Sequence, residues 1–135
     1  MQRRDDWASR LIATVDAADR APFVWGKHDC ALFAADCVQA MTGEDFAAPF
    51  RGRYDTALGS VRALKMMGVA SLEEYVVNVL GEPVAPTLAM RGDVVMVDTP
   101  TGMALGVVVG IEAAVVGISG LVYLPRNTWL SAWRI

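Results

Sequence analysis

The hydrophobic pattern of the chain changes once, close to Pro83 and Pro86, and this change limits the folds open to it. Before the prolines, apolar residues recur at helical spacing, first in the set Trp7, Leu11, Val15 and Ala18. After them, short β-branched and apolar runs are separated by turn residues. Helices followed by an antiparallel meander define an α+β fold class. A length of 135 residues suits one domain, so we assign residues 1–135 to a single domain.

The second predicted helix is the most apolar of the four in the first part of the chain. It covers residues 30–41, with Asp29 as its N-cap and Gly43 after its end. Within it only Asp36 and Gln39 are polar, so we expect it to be packed on most sides and to lie at the centre of the fold.

Two shorter helices are predicted after a loop over residues 46–53. The third is indicated by the helical spacing of Tyr54, Leu58, Val61 and Leu64. The fourth begins at a capping box, in which Ser71 and Glu74 satisfy each other's backbone donors.

Four strands are predicted after the prolines, over residues 93–98, 103–111, 113–118 and 121–124. They do not alternate apolar with polar residues, so both faces of the sheet should be covered. The tail holds Trp129 and Trp133, which we interpret as core anchors. Its pattern fits a short helix, a closing strand, or one after the other.

Composition and charge exclude several classes of function. The net charge is −3, which provides no electrostatic footprint for nucleic acid or an anionic membrane. The most apolar stretch, residues 103–118, contains Glu112 and is too short for membrane insertion. No apolar segment comes after the charged start of the chain, so we expect no signal peptide.

The cysteines and the single histidine also limit the chemistry. Cys37 lies seven residues after Cys30, too far along one helix for a disulfide, and it is interpreted as a core residue. Two cysteines and one histidine do not supply a zinc tetrad, so neither a metal nor another cofactor is expected.

The segment W-G-K-H-D-C, directly before the apolar helix, carries the candidate chemistry. A thiol in the first helical turn lies near the positive end of the helix dipole, and free N–H groups there can bind an oxyanion. Both effects favour a thiolate and acyl transfer, so Cys30 is the candidate nucleophile. A buried core cysteine has the same spacing. His28 is either a local base for Cys30 or a residue that braces the loop.

Three ordered motifs resemble the NlpC-type branch of the papain-like cysteine peptidases, which reads roughly (Y)-x-W-G-x-x-D-C-S-G, then G-D and apolar residues, then H-V-G. Residues 23–30, 91–95 and 104–110 match these motifs in order, and the resemblance spans about residues 22–124. It implies a papain-like fold, with N-terminal helices and a central helix bearing Cys30 packed on an antiparallel sheet.

The departures from the family pattern fall on the catalytic positions. Ala104 stands where the family has its histidine, and strand 113–118 offers no polar third member. Phe23 replaces the tyrosine, and Ala31-Leu32 replaces Ser-Gly. A cysteine without a base loses the general-acid step that protonates a leaving amine. The resemblance therefore implies a degenerate peptidase.

The sequence is further similar to a short phage and prophage group encoded among tail genes. This resemblance implies a virion tail-tip (baseplate) component, assembled in the host cytoplasm, that docks to hub and distal tail proteins. The candidate contacts are the apolar carboxy-terminal tail, Trp25, and the loop with Arg51, Arg53 and Tyr54.

Two alternatives remain open from the sequence. One is an active peptidoglycan endopeptidase in which Cys30 attacks a stem peptide and His28 or a partner chain supplies the base. The other is a binding module that holds a peptidoglycan peptide in the former cleft.

Overall fold

The computed structural model describes residues 1–135 and confirms the α+β class. The four helices are α1 Trp7–Ala18, α2 Cys30–Thr42, α3 Ala57–Met66 and α4 Leu72–Leu80. The five strands are β1 Val94–Thr99, β2 Gly102–Val108, β3 Glu112–Val116, β4 Leu121–Pro125 and β5 Trp129–Trp133. Short 3₁₀ turns cover Pro86–Leu88 and Arg126–Thr128.

The strands form one antiparallel sheet in the order β4-β3-β2-β1-β5. The first four make the expected meander, and β5 returns across the sheet to pair with β1. The tail is therefore a 3₁₀ turn followed by a closing strand. Trp129 and Trp133 are buried, which confirms their interpretation as core anchors.

Helix α2 lies at the centre of the fold, as predicted. It packs against α1 and against strands β2 and β3. Its fully buried side chains include Leu32, Phe33 and Met41. One face of the sheet supports the core shared with α1 and α2, and the other face packs around Trp129 and the segment that contains Ala89.

A β-bulge separates the two tail tryptophans onto opposite faces of the sheet. Ser131 pairs with Met96, but the next residue of β1, Val97, pairs with Trp129, so Leu130 is an extra residue in β5. An even spacing in a regular strand would place both rings on one face. Instead Trp133 joins the helix-side core and Trp129 joins the opposite one.

Three local expectations need correction. Helix α3 begins after an N-cap at Thr56, so Tyr54 lies outside it. Strand β4 is largely exposed, so the sheet is not covered on both faces along its whole width. Ser71 accepts the N–H of Glu74 as expected, but the carboxylate of Glu74 accepts the N–H of Ala70 rather than that of Ser71.

None of the helices combines the length and the hydropathy needed to span a bilayer. No group of three or more histidine, cysteine, aspartate or glutamate side chains is arranged to hold a metal ion.

Candidate functional site at Cys30

The buried carboxylate of Asp29 holds together the three segments that surround Cys30. Its Oδ1 accepts the N–H of Leu32 at 3.0 Å, which caps α2. Its Oδ2 accepts the N–H of Gly26 at 3.0 Å and the hydroxyl of Tyr54 at 2.6 Å. Asp29 is only 1% exposed, so these bonds are made away from water. The cap is predictable from the sequence, whereas the contact with Tyr54 is revealed only by the structure.

Cys30 is the first residue of α2 and remains partly exposed. Burial of the thiol raises its pKa to about 11, although the backbone N–H of Leu105 approaches the sulfur and acts in the opposite direction. The backbone N–H groups of Ala31 and Cys30 also favour the thiolate, but together these groups do not offset desolvation. The N–H groups at the start of the helix thus act in the expected direction, but burial outweighs them, and the group is a neutral thiol near pH 7.

Cys30 and Ala104 line the same cavity, which has a volume of about 520 Å³. Ala104 directly precedes Leu105 on β2, the residue whose N–H reaches the sulfur. Position 104 therefore lies in the lining of the cavity that also contains the thiol, and the methyl group of Ala104 has no exchangeable proton. The side chains of Phe23, Met103 and Val116 line the same cavity and make it largely apolar.

A second cavity, of about 230 Å³, lies on another side of Cys30. Its lining is also mostly apolar and includes Trp25, Tyr54, Val61 and Met103. The thiol thus stands between two apolar spaces, and Trp25 and Met103 border both of them.

His28 does not line either cavity at Cys30. Its ring packs edge-on against Phe33, with 6.1 Å between ring centroids, and it faces a groove with residues of α1, Asp36 and Gln39. Its Nε2 is buried and has no hydrogen-bond partner. The geometry therefore gives no support to His28 as the base for Cys30.

The four candidate binding residues have different surroundings. Arg51 forms ion pairs of 2.7 Å with both Asp36 and Asp45, so its guanidinium is committed to its own fold. Tyr54 is bound to Asp29, and burial together with this carboxylate raises the pKa of its hydroxyl. Arg53 is exposed. Trp25 is 36% exposed and packs edge-on against Phe23.

Sequence reasoning misses two contributors to the site. Leu105 reads only as an apolar strand residue, and its backbone N–H carries no sequence signal. Met103 is predicted in a strand, and its position at the rim of both cavities depends on the sheet register. Tyr54 is predictable, because an aromatic residue beside basic ones in a loop is a recognisable pattern, but its partner is not.

Fold and site define an α+β protein with a neutral thiol at the N-terminus of its central helix, set in an apolar cleft that is also lined by an alanine. The chain belongs to the family described as "Domain of unknown function (DUF6950)", whose sequence profile matches residues 2–135. No curated protein matches the sequence.

Proposed function

We propose that this protein is a structural component of a phage tail tip, built on a papain-like scaffold whose thiol site has no catalytic base. The observation that carries the proposal is that Cys30 and Ala104 line the same cavity. In an active thiol peptidase the group across from the sulfur takes its proton and later protonates the leaving amine. A methyl group does neither.

The state of the thiol supports the same conclusion. Its pKa of about 11 leaves only a small fraction of nucleophilic thiolate at neutral pH. General acid–base help is worth about 10²–10⁴-fold, and here the base is missing and the thiolate is scarce. Hydrolysis of a peptide bond would then depend on backbone N–H groups alone.

The surface around the cleft supports a docking role. Trp25, Val61 and Met103 border the 230 Å³ cavity and are 36%, 46% and 53% exposed. Leu58, about one turn before Val61 on α3, is 59% exposed, and α3 has no fully buried residue. Exposed apolar side chains grouped around a cleft are typical of protein interaction sites. We propose that this rim, with Arg53, contacts hub or distal tail proteins.

Two experiments test the proposal. The first incubates purified peptidoglycan with the wild type and with Cys30→Ala and measures the release of muropeptides. We expect no release above the Cys30→Ala control. Release that depends on Cys30 would support the endopeptidase instead.

The second experiment co-expresses the chain with the hub and distal tail proteins encoded beside its gene. We expect a complex that survives gel filtration and that is weakened by Val61→Asp together with Met103→Asp. If the chain elutes alone, or if its neighbouring genes encode no tail proteins, the tail-tip role is wrong.

Position 104 itself offers a direct test of the degenerate site. Ala104→His should restore an imidazole beside the sulfur and raise the rate of Cys30 alkylation at pH 7 by at least about tenfold. Leu58→His adds the same ring to the exposed face of α3 and should leave the rate unchanged. Equal rates for the wild type and Ala104→His would show that position 104 does not face the thiol.

A further inference from the structure

Three arginines gather around Trp7 in a surface pocket away from the thiol. Arg3, Arg91 and Arg134 line this pocket, which has a volume of about 510 Å³, together with Trp7, Met90 and Asp93. It shares no lining residue with the cavities at Cys30, so a ligand bound in it would not depend on the proposed function of the thiol site.

One of the three arginines is committed to the fold. Arg3 forms a 3.0 Å ion pair with Asp93, whose side chain is 3% exposed. The same guanidinium donates to the backbone oxygens of Arg91 and Ile135. Asp93 in turn accepts the backbone N–H groups of Met90 and Ile135. The charges of Arg3 and Asp93 therefore balance each other.

The other two arginines have no such partner. Arg91 and Arg134 are exposed, and neither forms an ion pair or a side-chain hydrogen bond within the chain. The guanidinium of Arg91 lies 5.7 Å from the ring centroid of Trp7, and that of Arg3 lies 4.1 Å from it. A chain with a net charge of −3 thus carries two arginines without an ion-pair partner in one concave site.

We propose that this pocket binds a phosphate monoester. A dianionic phosphate balances the two free guanidinium charges, and its oxygens match the planar N–H forks of arginine. The ring of Trp7 and the side chain of Met90, which is 69% exposed, offer an apolar surface for the organic part of the ester. A carboxylate or a sulfate ester carries one charge and leaves one arginine unbalanced.

The test is a titration of the ¹⁵N-labelled protein at low salt, followed through the Nε–H signals of the arginines and the indole N–H of Trp7. The probes are phenyl phosphate, phenyl sulfate, benzoate and inorganic phosphate. We expect phenyl phosphate to shift the signals of Arg91, Arg134 and Trp7 and to bind about tenfold or more tightly than each of the other three.

The variants Arg91→Gln and Arg134→Gln each remove one exposed charge without touching the buried pair. Each should weaken the binding of phenyl phosphate about tenfold. The double variant should bind phenyl phosphate no more tightly than it binds phenyl sulfate. Arg62→Gln, an exposed arginine on α3, is the matched control and should bind like the wild type.

Several results would overturn the proposal. One is the absence of any shift of Arg91 or Arg134 with phenyl phosphate at 10 mM, on the order of the weakest affinity of interest. Another is equal binding of the ester and the monoanions, which would mean simple charge attraction. Equal binding of inorganic phosphate would remove the role of Trp7 and Met90, and wild-type affinity in the double variant would place the anion elsewhere.

Discussion

The hydroxyl of Tyr54 donates a 2.6 Å hydrogen bond to the carboxylate of Asp29, which caps the central helix. This bond ties the loop before α3 to the start of α2. The same carboxylate oxygen accepts the N–H of Gly26, so one buried oxygen connects two loops at the cleft.

Tyr54→Phe removes this hydroxyl and leaves the ring in place. We expect the free energy of unfolding to fall by about 1.5–2 kcal/mol, because a hydrogen bond to a buried charged acceptor is lost. Chemical denaturation followed by circular dichroism measures the change. Tyr123→Phe, which removes an exposed bond to Asp19, is the control and should cost less than about 0.5 kcal/mol. Similar losses for both variants would mean that the buried Tyr54–Asp29 hydrogen bond stabilises the fold no more than the exposed one.

Gly26→Ala tests the close approach of the two loops at Asp29. Gly26 has φ of +79°, and a Cβ atom there would lie 1.9 Å from the carbonyl oxygen of Tyr54. Gly52, with φ of +70° and no atom within 4 Å of its Cβ position, is the matched control for the backbone strain alone.

Gly52→Ala should lower the free energy of unfolding by about 1 kcal/mol, because alanine is strained in the left-handed backbone conformation. Gly26→Ala should lower the free energy of unfolding by about 1–3 kcal/mol more than Gly52→Ala. The added Cβ either displaces the Tyr54 loop or clashes with its carbonyl oxygen. Thermal and chemical unfolding measure both variants side by side. If the two cost the same, the loops are further apart than the structure has them.

Alkylation of Cys30 by iodoacetamide should be slow at neutral pH. Burial raises its pKa from 9.0 to about 11, so the thiolate fraction near pH 7 is about a hundredfold below that of an unperturbed thiol. The rate should rise steeply as the pH increases towards 11. Peptide mapping by mass spectrometry separates Cys30 from the buried Cys37, and the unfolded protein gives the reference rate. Labelling near that reference rate at pH 7 would contradict the raised pKa.

The same shift has a consequence for stability. Because the folded pKa lies above the unfolded one, the protonated thiol favours the folded state below pH 9, and this contribution is lost as the pH rises from 9.0 to about 11. The difference in unfolding free energy between the wild type and Cys30→Ala should therefore shrink over that range. A difference that is constant with pH would show that the pKa is not raised by folding.

Arg51 and Arg53 should differ in their effect on stability although they are neighbours in sequence. Arg51→Ala leaves the carboxylates of Asp36 and Asp45 without their shared cation and should cost about 1 kcal/mol. Arg53→Ala removes an exposed side chain and should change stability by less than about 0.5 kcal/mol. Denaturation midpoints in low and high salt measure both, and the effect of Arg51→Ala should shrink with salt. Equal effects would mean that the ion pairs do not stabilise the fold.

Much of the fold is encoded in local patterns of the sequence. The apolar composition of α2, with Asp29 before it and Gly43 after it, predicts both its bounds and its central position. The strand runs predict β1 to β4 to within a few residues. These features depend on caps, turns and the spacing of apolar residues, which act over a few residues.

The chemistry of the site depends on contacts that are distant in sequence. Local reasoning places Cys30 at a helix dipole and favours a thiolate, whereas the packing of β2 against α2 buries the sulfur and raises its pKa. Local reasoning also keeps His28 as a candidate base for Cys30. In the fold, its ring instead faces α1 and packs against Phe33. Desolvation depends on which elements cover a group, and no spacing within one segment encodes it.

The residue pattern alone was enough to locate the four helices and the first four strands, to identify the central helix and to place a thiol at its start. The packed fold was needed to show that Tyr54 reaches Asp29, that a bulge at Leu130 places Trp129 and Trp133 on opposite faces, and that Ala104 and Cys30 line one cavity. The difference arises because backbone preferences and hydrophobic periodicity act over a few residues, while pairing register and burial are set by the whole packed chain.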